Sequence, residues 1–279
     1  MCRIFAFHSV LTSTVHSSLV ESQGALSSLG ESHPDGWGMA YFTESSPHLL
    51  KSTEPVHKDT IFNKLSAVVQ SHTVIAHIRK ATQGEISILN GHPFQYGKWI
   101  FCHNGNIKAF KEKRARLKAL IHPKFIPHIL GTTDSEILFY ILLSQHYQKH
   151  GQELDLSIAL ALKKIVKIIG PLDKDQDAGP EETFLTFVIT NGKDFYAFNG
   201  GQNIYYCTYK KDCPQKDSCS HFSKACLNKS SPGEPLTHLL FSSEKSSGDN
   251  VWNLMPYGAL IGVNGSMQLF QRDLIDLFK

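Results

Sequence analysis

The chain has 279 residues, 41% of them hydrophobic and 19% charged, a globular composition that excludes a largely disordered chain. Its 28 basic and 25 acidic side chains leave a net charge of +3, too balanced to imply nucleic acid, and no basic stripe with interleaved aromatics appears. The length suits one large domain or two small ones and can shelter a reaction site.

A membrane span is not expected. The most apolar helical stretch, Leu154 to Ile169, is interrupted by Lys163, Lys164 and Lys167, whereas a span needs an unbroken run of ~18 apolar residues. The N-terminus has one arginine, a short apolar patch and polar residues from His8 onward, which is not the pattern of a secretory signal. The expectation is a soluble cytoplasmic protein whose six cysteines stay reduced.

In chain order, Arg3 to Phe7 reads as a strand and Val10 to Leu29 as a helix weakened by Gly24. The turn His33-Pro34-Asp35-Gly36 leads into a strand over Trp37 to Phe42. Asp59 to Gln70 has helical spacing at Ile61, Leu65 and Val68. Thr73 to Ile78 and Lys98 to His103 are β-rich. The six basic residues between Lys108 and Lys118 suit the solvated face of a helix. Thr133-Asp134-Ser135-Glu136 has the form of a capping box and opens a helix. A second helix covers Leu154 to Ile169 and stops at Gly170-Pro171. Leu172 to Glu182 is acidic and turn-rich, so a loop is expected. Asn191-Gly192 joins Thr183 to Thr190 and Phe195 to Phe198 as a hairpin. Strands follow at Ile204 to Tyr209 and His238 to Ser242, with a last hairpin over Ala259 to Phe270 around Asn264-Gly265. Strands, then helices, then strands favour α+β with antiparallel sheets.

Five short stretches bear chemistry: Met1-Cys2-Arg3-Ile4-Phe5-Ala6-Phe7; His33 to Gly38; Ala76-His77-Ile78-Arg79-Lys80-Ala81-Thr82; Asn90-Gly91-His92-Pro93-Phe94 with His103-Asn104-Gly105-Asn106; and Thr132 to Glu136. Each is weak alone. Splitting an amide needs a nucleophile, a base and donors for the tetrahedral oxygen. Cys2 supplies two of these once Met1 is removed. A thiol titrates near ~8.5 and a terminal amine near ~7.7–8.0, so the amine can take the thiol proton and return it to the leaving nitrogen. Taken alone, Cys2 reads as an ordinary buried cysteine, Asn104-Gly105 as a turn, Arg79 as a surface strand residue and Asp134 as a helix cap.

Together, in this order, the five stretches resemble the class II glutamine amidotransferases of the N-terminal-nucleophile type, and the stand-alone members more than glutaminase domains fused to a synthase. The resemblance is strong over residues 2 to 145 and weaker beyond, where Ser242-Ser243-Glu244 and the terminal hairpin are similar. It implies an Ntn-hydrolase α/β/β/α sandwich of two antiparallel sheets, formed by residues 2–279 as a single domain. It also implies that Cys2 attacks the γ-amide of glutamine, giving glutamate and ammonia through a γ-glutamyl thioester. The Asn104 side chain and the Gly105 N–H would form the oxyanion hole. Arg79 would take the substrate carboxylate, Asp134 its ammonium, and Thr82 would line the pocket. Asp134 and Thr133 both remain candidates for the cap. The chemistry needs no cofactor and no histidine base, so His77, His92 and His103 read as packing residues.

Two enzyme readings stay open. Ammonia passes to a separate synthase partner, or the chain is a free-standing γ-glutamyl hydrolase resembling those that act on glutathione or an ergothioneine precursor, with or without a peptidase partner. A reading of another class is a non-catalytic binding module whose working part is a cysteine cluster. Cys207, Cys213, Cys219 and Cys226, with His221 among them, form a Cys-rich insertion at about 207–227 that departs from the family pattern. These cysteines could hold a structural metal, but they lack Cys-x2-Cys hooks, and free thiols or a disulfide fit as well. His146 and His150 stand four apart without the glutamate of a zinc motif and read as surface.

Overall fold

The computed structural model describes residues 2–14, 16–149, 151–172, 182–213, 216–217 and 222–278. Alternating apolar strands pair into two antiparallel sheets. The first contains β1 (Arg3–Thr14), β2 (Trp37–Thr43), β3 (Ser46–Ser52), β4 (Gln70–Ile78), β9 (Tyr205–Cys207), β10 (His238–Ser242) and β11 (Asn253–Leu254), in the order β11-β9-β10-β1-β4-β2-β3. The second contains β5 (Phe94–Tyr96), β6 (Trp99–Asn106), β7 (Phe184–Thr190), β8 (Phe195–Phe198), β12 (Ala259–Val263) and β13 (Leu269–Asp273), in the order β13-β12-β8-β7-β6-β5. The helices are α1 (Thr60–Val68), α2 (Phe110–Lys118), α3 (Asp134–Gln148) and α4 (Leu154–Ile169).

The sheets pack face to face. Ile4, Ala6 and Ile75 of the first meet Ile100, Cys102, Val188 and Ile261 of the second in one buried cluster. Residues of opposite parity face outward. Phe101, Phe187 and Phe198 pack under α3 and α4, with Phe139 stacked 5.5 Å from Phe101. Phe5, Phe7 and Met39 pack under Phe62 of α1 and under Leu19 and Leu26. Burying each such large apolar side chain contributes roughly 1.5–3 kcal/mol. The result is a four-layer α/β/β/α sandwich, in which, among the described residues, three α-helices cover one sheet and a single short one, with two irregular helical turns, covers the other.

The expectation of a helix over Val10 to Leu29 is corrected. β1 continues to Thr14, pairing with Gln70 and Ser71 after a bulge, and short helical turns cover Ser17–Glu21 and Leu26–Ser32. β-branched Val10, Thr12 and Thr14 favour the extended chain, and Gly24, at φ 79°, interrupts any continuous helix. The last hairpin turns around Asn264-Gly265 as expected, with Met267 in the left-handed region at φ 58°. Strands β3, β5 and β11 carry too little periodic signal to be read from sequence. Residues 173–181, expected as a loop, lie outside the described residues.

α3 is buried along most of its length. Thr133 caps it, its hydroxyl accepting the Glu136 N–H at 3.3 Å. Glu136 does not complete a reciprocal capping box. Its carboxylate instead accepts the Leu130 and Gly131 N–H groups at 2.9 and 2.8 Å. Asp134 is therefore freed from the capping role and sits at the first helical position.

Candidate active site

Cys2 stands immediately before β1 and is half-buried. Its Sγ lies 3.4 Å from the Lys80 N–H nitrogen, which donates to it, and 3.4 Å from the Lys80 carbonyl, to which it donates. Burial pushes the thiol up, while the Lys80 main-chain bond and the nearby Arg79 charge oppose that rise. The start of β1 is held in place from the C-terminal half. The Ile4 N–H donates to Ser243 Oγ at 3.0 Å, and Arg3 pairs with Glu244 at 2.7 Å while donating to the Cys2 carbonyl at 3.1 Å. This gives the Ser242-Ser243-Glu244 motif a positional purpose.

Arg79 and Lys80 follow directly from β4, which pairs with β1 so that Ile4 opposes His77. The Arg79 side chain is buried. It donates from Nη1 to the Glu85 carbonyl at 3.1 Å and from Nη2 to the Gln83 carbonyl at 3.0 Å. It thus braces the loop that follows it and retains further donors for a ligand. Asp35 and Gly36 hold the same segment: Asp35 Oδ2 accepts the Ala81 N–H at 2.7 Å, and the Gly36 carbonyl accepts the Arg79 N–H at 2.8 Å. Gly38 opposes His77, where a Cβ would overlap the His92 carbonyl, so only glycine fits.

Cys2, Arg79, Lys80, Thr82, Gly105 and Asp134 line one pocket, together with Gln83, Asn90, His92, His103, Thr133 and Ser135. Five of the six sequence-predicted site residues therefore converge. Asn104 is the exception. It is buried in β6, on the row of Ile100 and Cys102 that faces the other sheet, and it does not form the pocket wall. Its Oδ1 is buried without a partner among the described residues. Gly105 lies within the strand, opposite Leu185, rather than in a turn. A Cβ there would overlap the Phe184 carbonyl and the His103 ring. Asp134 accepts from the Ile107 N–H at 2.8 Å through Oδ2 and from the Ser135 N–H at 2.8 Å through Oδ1. These bonds orient the carboxylate toward the pocket without an ion pair among the described residues.

Sequence reasoning overlooked the polar frame around the pocket. Asn90 donates to the Glu85 carbonyl at 3.1 Å and accepts the Thr132 N–H at 2.8 Å, tying the loop after Arg79 to the segment before α3. Gln83 donates to Asn106 Oδ1 at 2.9 Å. Lys51 reaches in from β3 and donates to the Gly91 carbonyl at 2.7 Å, with burial drawing its ammonium down to about 8. The Asn-Gly at positions 90–91 was the available signal for Asn90; Gln83 and Lys51 had none.

The remaining sequence candidates lie elsewhere. His146 is half-buried and shares a hydrogen bond with Ser157 at 3.2 Å, and His150 lies outside the described residues. Cys207, Cys213 and Cys226 are free thiols, while Cys219 and His221 lie outside the described residues. Among the described residues, no group of three or more His, Cys, Asp or Glu side chains is placed to hold a metal. Nor is any helix there long and apolar enough to cross a membrane.

The fold and pocket define an enzyme class, and comparison with known proteins specifies it. The model of the glutamine amidotransferases class-II matches residues 1–268. This chain belongs to that family. It is 29% identical over 257 residues to the probable glutamine amidotransferase DUG3 of Saccharomyces cerevisiae, a match that covers 84% of this chain and 71% of that protein. A γ-glutamyl-hercynylcysteine sulfoxide hydrolase of Mycobacterium tuberculosis is 35% identical over 77 residues, which cover 27% of this chain and 33% of the relative. The solved structure of a glutamine aminotransferase class-II domain protein from Silicibacter pomeroyi superposes with a TM-score of 0.61 at 19% identity, covering 98% of this chain and 99% of that one. The fold is thus the Ntn-type sandwich of the class II amidotransferases.

Proposed function

We propose that this chain is an N-terminal-nucleophile amidohydrolase acting on the γ-amide of glutamine or of a γ-glutamyl compound. After loss of Met1, the Cys2 amine takes the thiol proton and the sulfur bonds to the γ-carbon. The carbon–nitrogen bond breaks, and the leaving nitrogen carries that proton away. Water, deprotonated by the same amine, then attacks the thioester, releasing glutamate and restoring the thiol. Gly105 N–H and the Asn104 amide stabilise the tetrahedral oxygen, Asn104 after turning its amide toward the pocket. Arg79 receives the substrate carboxylate, Asp134 its ammonium, and Thr82 closes the pocket beside them.

The observation that carries this reading is the convergence of Cys2, Arg79, Thr82, Gly105 and Asp134 on one pocket. Intact mass before and after exposure to a diazo-ketone analogue of glutamine tests it. Loss of Met1 and one label on Cys2, blocked by excess glutamine, is the expected result. Retained Met1 and no label would sink the mechanism. The name of the M. tuberculosis relative favours, as a second reading within this class, a γ-glutamyl hydrolase that needs no ammonia acceptor.

A further inference from the structure

The outward face of the first sheet carries a cavity that the proposed reaction does not use. Its volume is about 170 Å³, and an apolar cavity of ~150 Å³ is enough to hold benzene. It shares no lining residue with the pocket at Cys2. We infer that this cavity is a second ligand site, suited to a small carboxylate with a compact apolar body.

The register of β1 and β10 forms its floor. Phe7 opposes Leu240 and Ser9 opposes His238, and strand alternation turns Phe5, Phe7, Leu240 and His238 to the same outward side. The two phenyl rings and the leucine supply the apolar surface. The Cys-rich insertion closes the opposite side with Lys210, Cys213, Phe222 and Cys226. Its backbone is pinned there: the Lys210 N–H donates to the Cys226 carbonyl at 2.9 Å, and Lys210 forms an isolated β-bridge with Asn250.

The polar groups of the wall set the sign of the ligand. The lining residues include one lysine, Lys210, and no aspartate or glutamate. Lys210 has no ion pair among the described residues. His238 is only 9% exposed. Burial, with the Lys210 charge adding to it, holds that imidazole down to about 4, so the ring is neutral and lies within the field of the ammonium. A row of hydrogen bonds then fixes which ring nitrogen carries the proton. Cys226 Sγ donates to Thr237 Oγ1 at 3.4 Å, and Thr237 Oγ1 lies 3.2 Å from His238 Nδ1. With the thiol donating to the hydroxyl, the hydroxyl proton goes to Nδ1 and the ring proton sits on Nε2. That nitrogen is buried with no partner among the described residues, and an unanswered buried donor is costly. A carboxylate seated against this wall answers both the Nε2–H and the Lys210 ammonium. A cation meets only donors of its own sign.

Benzoate is the probe, with benzyl alcohol as its uncharged counterpart, and binding is followed by NMR of the isotope-labelled full-length protein. Benzoate should bind with a Kd on the order of 0.1–1 mM. It should shift the backbone signals of Phe5, Phe7 and His238 and leave those of Thr82 and Gly105 in place. Lys210→Met keeps the apolar stem and should weaken benzoate about 5- to 10-fold, with benzyl alcohol, the weaker ligand of the wild type, unchanged. Ser13→Trp introduces a ring from a partly exposed wall position and should remove both ligands. Turnover of glutamine or a γ-glutamyl substrate should match wild type in both variants. Absence of benzoate binding to the wild type overturns the site. So do shifts centred on Thr82 and Gly105, or undiminished binding to both variants. Equal affinity for benzoate and benzyl alcohol overturns the assigned ligand class. Each of these results leaves the amidohydrolase reading standing.

Discussion

The imidazoles of His77 and His92 lie 4.3 Å apart, centroid to centroid. Both are buried, and neither ring nitrogen of His92 has a partner among the described residues. Burial, with Arg79 and the neighbouring histidines adding to it, holds both well below the ordinary histidine range. They are neutral at pH 7.

Acid destabilisation follows. His8 and His238 are likewise lowered by burial, each to about 4. In the unfolded chain all four titrate near ~6.5. Below that pH the unfolded state binds protons that the folded state refuses. Full stability therefore holds above about pH 6.5 and declines as pH falls, levelling for His8 and His238 near 4. Each of these two contributes on the order of 3 kcal/mol to the loss. Denaturant unfolding at several pH values between 7 and 4.5 measures it; a flat profile would contradict neutral burial. His92→Phe should reduce the slope.

Cys2→Ala should abolish turnover of glutamine and γ-glutamyl substrates while leaving the circular dichroism spectrum and thermal midpoint close to wild type. Cys2 lies outside the strand ladder and is only half-buried. Normal turnover by this variant would refute the proposed nucleophile.

Asn104→Ala removes one proposed donor to the tetrahedral oxygen and should lower kcat by about 10²–10³-fold. Because its side chain does not line the pocket, the role requires a rotation on substrate binding. A loss confined to KM would assign Asn104 to substrate binding instead.

Arg79→Lys keeps the charge but loses the planar fork that both braces the 83–85 carbonyls and is assigned to the substrate carboxylate. KM should rise about 10- to 100-fold. Limited proteolysis should cut the loop after Arg79 faster than in the wild type. Unchanged KM with faster cleavage would show a bracing role alone.

Asp155 at the start of α4 is buried and held by Arg272 of β13 at 2.6 Å, while its other oxygen lacks a partner among the described residues. Arg272→Ala should destabilise by about 1–3 kcal/mol by leaving the carboxylate unpaired. Asp155→Asn combined with it should recover part of that loss in denaturant unfolding.

The sequence by itself determined the elements whose signals are local. α4 matches its expected bounds because Leu154, Ile158, Ala161, Leu162, Ile165 and Ile169 repeat at helical spacing and Gly170 stops the helix at φ 88°. The motifs around Cys2, Arg79, Gly105 and Asp134 were legible as short stretches of distinctive residue types, and the fold brings them to one pocket. Tertiary structure decided what depends on partners distant in the chain. β1 extends to Thr14 only because β4 offers a ladder to pair with. Thr133, not Asp134, caps α3, since Asp134 is drawn to the Ile107 N–H. Asn104 is buried on the row of Ile100 and Cys102 because strand alternation, set by the packing of two sheets, turns that row inward. Local pattern specifies an element; which face is buried, and what it meets there, is settled when the sheets close on each other.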